Sequence, residues 1–136
     1  MLMNERRHWD RGLRVLIADD DRDTVDTLTF LLRDQGYVPY GVHTGREVLP
    51  AVRLFRPDAI ILDISIPGMS GYAVAQAVRN SFTDVRRPLM IALSGVWTDV
   101  PDRIVAGQVG FDHHVAKPYD PAEVLRLLRQ LQPQGV

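Results

Sequence analysis

Five polar residues of this sequence follow short apolar stretches, and their side chains are of the types that handle metal ions and phosphoryl groups. They are Asp19, Asp20, Asp63, Ser94 and Lys117. Carboxylate oxygens suit Mg²⁺, which takes one or two carboxylates together with the oxygens of a phosphate. A lysine opposite that ion neutralises the oxygens of a phosphoryl group while a carboxylate attacks the phosphorus. The residue types therefore indicate phosphoryl transfer assisted by Mg²⁺.

The elements that must position these residues can be predicted from the hydrophobic pattern. Short apolar stretches bounded by turn residues predict buried strands over residues 13–18, 37–42, 59–62, 89–93 and 115–116. Amphipathic stretches predict helices over residues 23–35, 45–55, 72–79, 101–108 and 121–132. Strand and helix alternate five times, which predicts a parallel sheet with helices on both faces.

Two features predict which strands form the edges of this sheet. Pro39 has no N–H to donate, so the second strand is expected at an edge. His113 and His114 make the fifth strand the most polar, which favours the opposite edge. The strand order 2-1-3-4-5 meets both conditions. The predicted fold is therefore α/β, a flavodoxin-like, doubly wound, five-stranded parallel sheet with five helices.

Ligands of open parallel sheets bind at the carboxyl ends of the strands, where the strand order reverses. That point lies between the first and third strands, so Asp19, Asp20 and Asp63 are expected to converge. Two like charges about 4 Å apart repel by roughly 4 kcal/mol at an effective dielectric constant of 20, so the cluster must bind a proton or a cation. Ser94 ends the fourth strand, and Lys117, the sole lysine among 16 basic residues, follows the fifth.

Several of these residues also have an ordinary structural interpretation. Asp20 or Asp21 can cap the helix that follows, and we assign that role to Asp21. Asp63 precedes a Pro-Gly turn, and Lys117 taken alone could be a surface residue. A cap requires a single aspartate, however, and the joint order and spacing of the positions favour one site over several unrelated features.

Four motifs resemble those of the response-regulator receiver domain family, to which single-domain chemotaxis regulators of two-component systems belong. The family's first strand and acidic pair are similar to VLIADDDRDT, and its phosphoacceptor strand and following loop are similar to AIILDISIPGMSGY. The strand that ends in a hydroxyl resembles MIALSG, and the last strand with its Lys-Pro pair resembles HHVAKPYDP. The resemblance extends from residue 13 to residue 131.

The resemblance implies how the acidic residues would act. Asp63 would accept a phosphoryl group from a phosphohistidine and form an acyl phosphate. Mg²⁺ would be held by Asp19, Asp20, Asp63 and the backbone carbonyl of Ser65, with Asp19 acting mostly through water. The domain would catalyse only its own phosphorylation and dephosphorylation, so it would be a regulatory domain and not an enzyme.

The resemblance also implies how phosphorylation would be sensed. Ser94 would hydrogen-bond a phosphoryl oxygen, Lys117 would pair with the group, and the peptide bond to Pro118 would be cis. His114 stands where many members have an aromatic switch residue. With Ser94 it is expected to couple the site to the face formed by the predicted fourth helix, fifth strand and fifth helix. Trp97 could shape that face or simply pack.

Length and composition predict a single domain. The chain has 136 residues, of which 46% are hydrophobic and 24% charged. We expect a polar leader over residues 1–11, a receiver domain over residues 12–132 and a tail over residues 133–136. No apolar stretch approaches the roughly 20 residues that span a bilayer, and the leader lacks the apolar core of a signal peptide. The lack of cysteine fits a reducing compartment, so we expect a cytoplasmic protein.

The charge and the resemblance together predict the partners. A net charge of −1 provides no field to attract nucleic acid, and no effector domain follows the last predicted helix, so we expect no direct DNA or membrane binding. The resemblance implies a sensor histidine kinase or a histidine phosphotransfer protein as donor, and a downstream protein partner. A homodimer is a further alternative. The sequence leaves open whether the chain is a fragment of a longer regulator or hybrid kinase.

Two other functions compete with this interpretation. A haloacid-dehalogenase-type phosphatase also forms an aspartyl phosphate, and residues 21–25 fit its Asp-x-Asp-x-[Thr/Val] pattern. That pattern starts two residues late, however, and Asp120 with Glu123 resembles a helix cap more than a second acidic pair. A pseudo-receiver would use the same fold as an interaction module without phosphorylation. The presence of every chemical position favours the phosphorylated switch.

Overall fold

A computed structural model describes residues 12–82, 87–95 and 110–131 of the chain. Within these residues, five strands form one parallel sheet: β1 (Arg14–Ala18), β2 (Val38–Val42), β3 (Ala59–Asp63), β4 (Leu89–Ser94) and β5 (His113–Ala116). Their order is β2-β1-β3-β4-β5, which confirms the predicted order. The two edges are therefore the strand that contains Pro39 and the strand that contains the two histidines.

Four α-helices are found in the described residues: α1 (Arg22–Asp34), α2 (Val48–Phe55), α3 (Gly71–Asn80) and α4 (Pro121–Leu128). The helix predicted over residues 101–108 lies outside the described residues. Asp21 caps α1, since its side chain accepts the backbone N–H of Asp23. None of the described helices is long and apolar enough to cross a membrane.

Three elements differ from the prediction by more than one residue at an end. The helix predicted over residues 45–55 is divided into a 3-10 turn (Gly45–Glu47) and α2. Pro50 lies in the first turn of α2, where its missing N–H costs no helical hydrogen bond, so the α-helix begins just before it. The last predicted helix ends at Leu128 and continues only as a 3-10 turn. β5 begins at His113, because this residue pairs with Ile91 of β4.

Side chains of the central strands alternate between two hydrophobic layers, one on each face of the sheet. Val15 and Ile17 face the layer that contains α1 and α4, whereas Leu16 and Ala18 face the layer that contains α2 and α3. The helices contribute Val25, Leu28, Leu32, Val124 and Leu128 to the first layer, and Val48, Val52, Val74, Ala75 and Val78 to the second. Packing from both faces fixes the strand ends relative to one another.

Candidate phosphorylation and metal site

The carboxyl ends of four strands bring the predicted site residues together. Asp19 directly follows β1, Asp63 and Ser94 are the last residues of β3 and β4, and Lys117 directly follows β5. Asp19, Asp63 and Ser94 are buried. The strand order thus collects residues that are far apart in the sequence at a single edge of the sheet.

Three carboxylates form a cluster at this edge. Asp19, Asp20 and Asp63 each offer an oxygen atom, and these atoms lie within 4.8 Å of one another. Asp19 is 0% and Asp63 is 4% exposed, while Asp20 is exposed to solvent. Because all three donors are hard oxygens, the cluster fits Mg²⁺.

Lys117 bridges the two buried carboxylates. Its Nζ donates to Asp19 Oδ2 over 3.0 Å and to Asp63 Oδ2 over 3.4 Å. The other oxygen of each carboxylate accepts a backbone N–H two residues further along the chain, from Asp21 and Ser65, each over 2.9 Å. Each loop therefore holds one oxygen of its own aspartate and leaves the second oxygen facing the lysine.

Burial and charge shift the pKa values of this site. Burial raises the pKa of Asp19, and the like charge of Asp63 adds to this effect, although the Asp21 N–H and Lys117 pull the pKa down. Burial lowers the pKa of Lys117, but the hydrogen bond to Asp19 and the charges of both aspartates outweigh it, so the pKa is raised. One lysine therefore does not fully compensate the buried carboxylates, and a further cation would be stabilised there.

The third aspartate of the acidic run has a different role. One carboxylate oxygen of Asp21 accepts the N–H of Asp23 over 3.1 Å, and the other accepts the hydroxyl of Thr24 over 2.9 Å. The hydrogen bond from Thr24 lowers the pKa of Asp21. Asp21 is thus the helix cap that the sequence predicts, and its two oxygens are both used in that role.

Of the other predicted residues, Ser94, His114 and Pro118 lie on or just after β4 and β5. The backbone N–H of Lys117 donates to the Ser94 carbonyl over 2.7 Å, and the Lys117–Pro118 peptide bond is cis, the isomer that the resemblance implied. The ring of His114 in β5 is half-buried and lies 5.8 Å from the ring of Phe111. The Ser65 carbonyl as a metal ligand stays a prediction. Trp97 lies outside the described residues.

Sequence reasoning missed three residues near the site. His43 directly follows β2, and its Nδ1 lies 3.1 Å from the Asp19 carbonyl oxygen. The Glu47 carboxylate accepts the N–H groups of His43 and Thr44. Tyr119 is partly buried close to Asp19. This burial, together with the negative charge of Asp19, raises the pKa of Tyr119 to about 12. A polar residue directly after β2 was the available signal for His43, since each of the other strands also ends at a polar residue.

Comparisons with known proteins agree with this geometry. The family model of the response regulator receiver domain matches residues 15–129 of the sequence. The DNA-binding response regulator MtrA of Mycobacterium tuberculosis is 33% identical over 116 residues, covering 85% of this chain and 49% of MtrA. A solved structure of a response regulator from Chloroflexus aurantiacus has a TM-score of 0.77 at 28% identity, covering 88% of this chain and 96% of that chain.

A third similar protein bears on the metal. The receiver domain of a sensor histidine kinase from Pseudomonas aeruginosa, solved with a magnesium ion in its active-site cleft, has a TM-score of 0.76 at 28% identity. The match covers 96% of that receiver domain and 88% of this chain. The coverage of the full-length relatives is smaller, since the chain spans about half the length of the response regulators it matches.

The fold and the site together define a doubly wound α/β signalling domain with an acidic cluster facing a lysine at its topological switch point. The sequence match covers most of the chain. The chain belongs to the response regulator receiver domain family of two-component signalling, as the sequence motifs indicated.

Proposed function

We propose that this domain is a phosphorylation switch in which Asp63 accepts a phosphoryl group from a phosphohistidine. In this proposal Mg²⁺ is held by Asp19, Asp20, Asp63 and the backbone carbonyl of Ser65. The observation that carries it is a pair of buried carboxylates that share one lysine beside an exposed third carboxylate. Such a site needs additional positive charge and has a nucleophile within reach of it.

The transfer would exchange one bond to phosphorus for another. A carboxylate oxygen of Asp63 attacks the phosphorus, the phosphorus–nitrogen bond of the donor breaks, and the imidazole leaves with the electron pair of that bond. Lys117 lies 3.4 Å from Asp63 Oδ2 and neutralises charge on the phosphoryl oxygens. Mg²⁺, when bound, supplies the rest of the positive charge. Ser94, at the end of the adjacent strand β4, hydrogen-bonds a phosphoryl oxygen.

The conformational change that follows phosphorylation would pass from β4 to β5. Ser94 and Ala116 are paired in the sheet, and His114 is paired with Ala92 on the same two strands. Movement of Ser94 toward the phosphoryl group changes the packing of His114, whose ring contacts Phe111. The face around β5 and α4 then shifts between two arrangements. The helix that would complete this face lies outside the described residues.

We further propose residues 12–132 as the receiver unit, with residues 1–11 and 133–136 flanking it. The donor is a sensor histidine kinase or a histidine phosphotransfer protein in the cytoplasm, and the output is a contact with a downstream protein. Regulation, not turnover of an external substrate, is the function of this unit. The net charge of −1 supports an output through protein and not through DNA.

Two alternative functions are a haloacid-dehalogenase-type phosphatase and a pseudo-receiver. The phosphatase pattern at residues 21–25 requires a reactive carboxylate at its first position, but both oxygens of Asp21 are engaged in capping α1. A pseudo-receiver would have the same fold and would not be phosphorylated. The test below separates it from the proposed switch.

The test is intact-protein mass spectrometry after incubation with acetyl phosphate, with Mg²⁺ or with a chelator. Wild type is compared with Asp63→Asn and with Asp26→Asn, an exposed aspartate of α1 that serves as the matched control. We expect a gain of one phosphoryl group in wild type and in the control, only with Mg²⁺, and none in Asp63→Asn. Failure of wild type to gain mass from acetyl phosphate or from a histidine kinase would favour the pseudo-receiver.

A further inference from the structure

The end of β2 contacts the acidic site through consecutive residues. The Asp19 N–H donates to the Val42 carbonyl over 3.1 Å, and the Asp19 carbonyl lies 3.1 Å from Nδ1 of His43. The main chain of Asp19 is therefore held on both of its polar groups. Because the Asp19 carbonyl belongs to the peptide unit that joins Asp19 to Asp20, the His43 ring restrains the peptide between two of the clustered carboxylates.

The direction of this hydrogen bond follows from its partners. A backbone carbonyl can only accept, so Nδ1 of His43 must carry the proton that is donated. The histidine thus contacts Asp19 through the main chain of that residue. Its role would be to orient the neighbouring carboxylates of Asp19 and Asp20.

Glu47 holds the histidine itself in place. Its Oε1 accepts the N–H of His43 over 3.2 Å, the N–H of Thr44 over 3.0 Å and the Thr44 hydroxyl over 2.9 Å. The next residue, Gly45, donates its N–H to the Pro67 carbonyl over 2.8 Å. The segment from His43 to Glu47 therefore joins the loop that carries Asp19 to the loop that follows the phosphoacceptor strand.

We propose that His43 is a positioning residue that sets the affinity of the acidic cluster for Mg²⁺. This inference rests on the proposed function, because it assumes that the cluster binds the ion. Removing the Nδ1 donor frees the Asp19–Asp20 peptide to rotate, so the two carboxylates have to be ordered when the ion binds. Loss of the partner of a metal ligand commonly weakens metal binding about tenfold or more.

The experiment measures the Mg²⁺ dissociation constant by isothermal titration calorimetry for wild type, His43→Leu and His43→Asn. The asparagine amide nitrogen can occupy the place of Nδ1 and donate to the same carbonyl. His113→Leu is the matched control, since its ring contacts Gln130 at the opposite edge of the sheet. We expect a loss of affinity of about tenfold in His43→Leu, with His43→Asn and the control close to wild type.

Unchanged affinity in His43→Leu would overturn the inference, and so would an equal loss in His43→Asn or in the control. If wild type does not bind Mg²⁺, the proposed function fails together with it, whereas binding by wild type with no effect at His43 removes this inference alone. A second measurement uses wild type alone, so it tests the inference even if a variant does not fold. Ring ¹⁵N chemical shifts at alkaline pH should show His43 protonated on Nδ1, and protonation on Nε2 would overturn the inference.

Discussion

Lys117 donates to Asp19 across 98 positions of the sequence, over a distance of 3.0 Å. The pair connects the residue after the last strand to the residue after the first strand. Because Asp19 is buried and Lys117 is partly exposed, the lysine also forms the solvent side of the contact. Lys117 therefore offsets only part of the negative charge of the site before any metal binds, and the stability of the domain should respond to each change in that charge.

Removing the Asp63 charge should stabilise the metal-free domain. Asp63→Asn relieves repulsion from Asp19 and Asp20 and keeps an oxygen that can accept the Ser65 N–H. Like charges at such distances repel by a few kcal/mol, and the lost attraction to Lys117 offsets part of this. We expect the free energy of unfolding in a chelator to rise by about 1 kcal/mol, measured by urea denaturation. A decrease would show that the lysine contact outweighs the repulsion.

Removing the lysine should have the opposite effect. Lys117→Met keeps an unbranched chain of similar length but leaves Asp19 and Asp63 without their cation. Breaking a fully buried ion pair costs roughly 3–5 kcal/mol, and because Lys117 is partly exposed we expect about 1–3 kcal/mol in a chelator. Mg²⁺ should recover part of this loss. Denaturation with and without Mg²⁺ tests both statements, and equal losses in the two conditions would contradict the second.

Ser94→Ala should separate phosphorylation from the response to it. The variant keeps Asp63 and the acidic cluster, so acetyl phosphate should still modify it. The amide chemical-shift changes that phosphorylation causes in β5 should become smaller, because the variant lacks the hydroxyl that, in the proposed switch, moves toward the phosphoryl group. Ser81→Ala, at the end of α3, is the control. Wild-type shift changes in Ser94→Ala would refute the coupling through Ser94.

The contribution of Glu47 should depend on pH. The hydrogen bond from the Thr44 hydroxyl, followed by that from the His43 N–H, lowers the pKa of Glu47 below the ordinary value of 4.5. A lowered pKa in the folded state means that the carboxylate stabilises the fold above the ordinary pKa, and that this stability is lost as the pH falls through the lowered pKa. Wild type should therefore exceed Glu47→Gln in unfolding free energy at neutral pH, and the difference should shrink in acid. A constant difference would contradict this account.

Gly71 should tolerate no side chain. A Cβ at this position would lie 2.5 Å from the Cα and 2.7 Å from the carbonyl oxygen of Ile64, and backbone atoms cannot move aside cheaply. We expect Gly71→Ala to lower the free energy of unfolding by about 1–3 kcal/mol. Gly95→Ala is the matched control, because nothing lies within 4 Å of its Cβ position. Equal effects of the two substitutions in urea denaturation would exclude this steric cause.

The order of the strands could be predicted because the edges differ chemically from the centre. Pro39 and the histidines of β5 identify two edge strands, and the right-handed connection between parallel strands leaves few arrangements of the others. The division of the helix at Gly45–Glu47 was not predicted. It depends on Pro50 and on the three hydrogen bonds that Glu47 accepts, which hydrophobic spacing does not describe.

The principal site residues could be predicted because parallel strands end at one edge. The strand order alone is enough to place Asp19, Asp63 and Lys117 together. His43 was missed because the five residues predicted to form the site all end or follow the other four strands. Its contact with Asp19 depends on the orientation of one ring and on the loop closed by Glu47, and these details follow from tertiary packing.

The strand order also has a consequence during synthesis on the ribosome. Asp63 is synthesised 54 residues before Lys117, and β1 and β3 are complete while β5 is still missing from the growing chain. A nascent chain at that stage holds both carboxylates but lacks the lysine that offsets part of their charge. Domains generally fold as units as they emerge, so the carboxylates and their lysine come together only with the last strand. The complete charge arrangement of the site is thus available only when the sheet is finished.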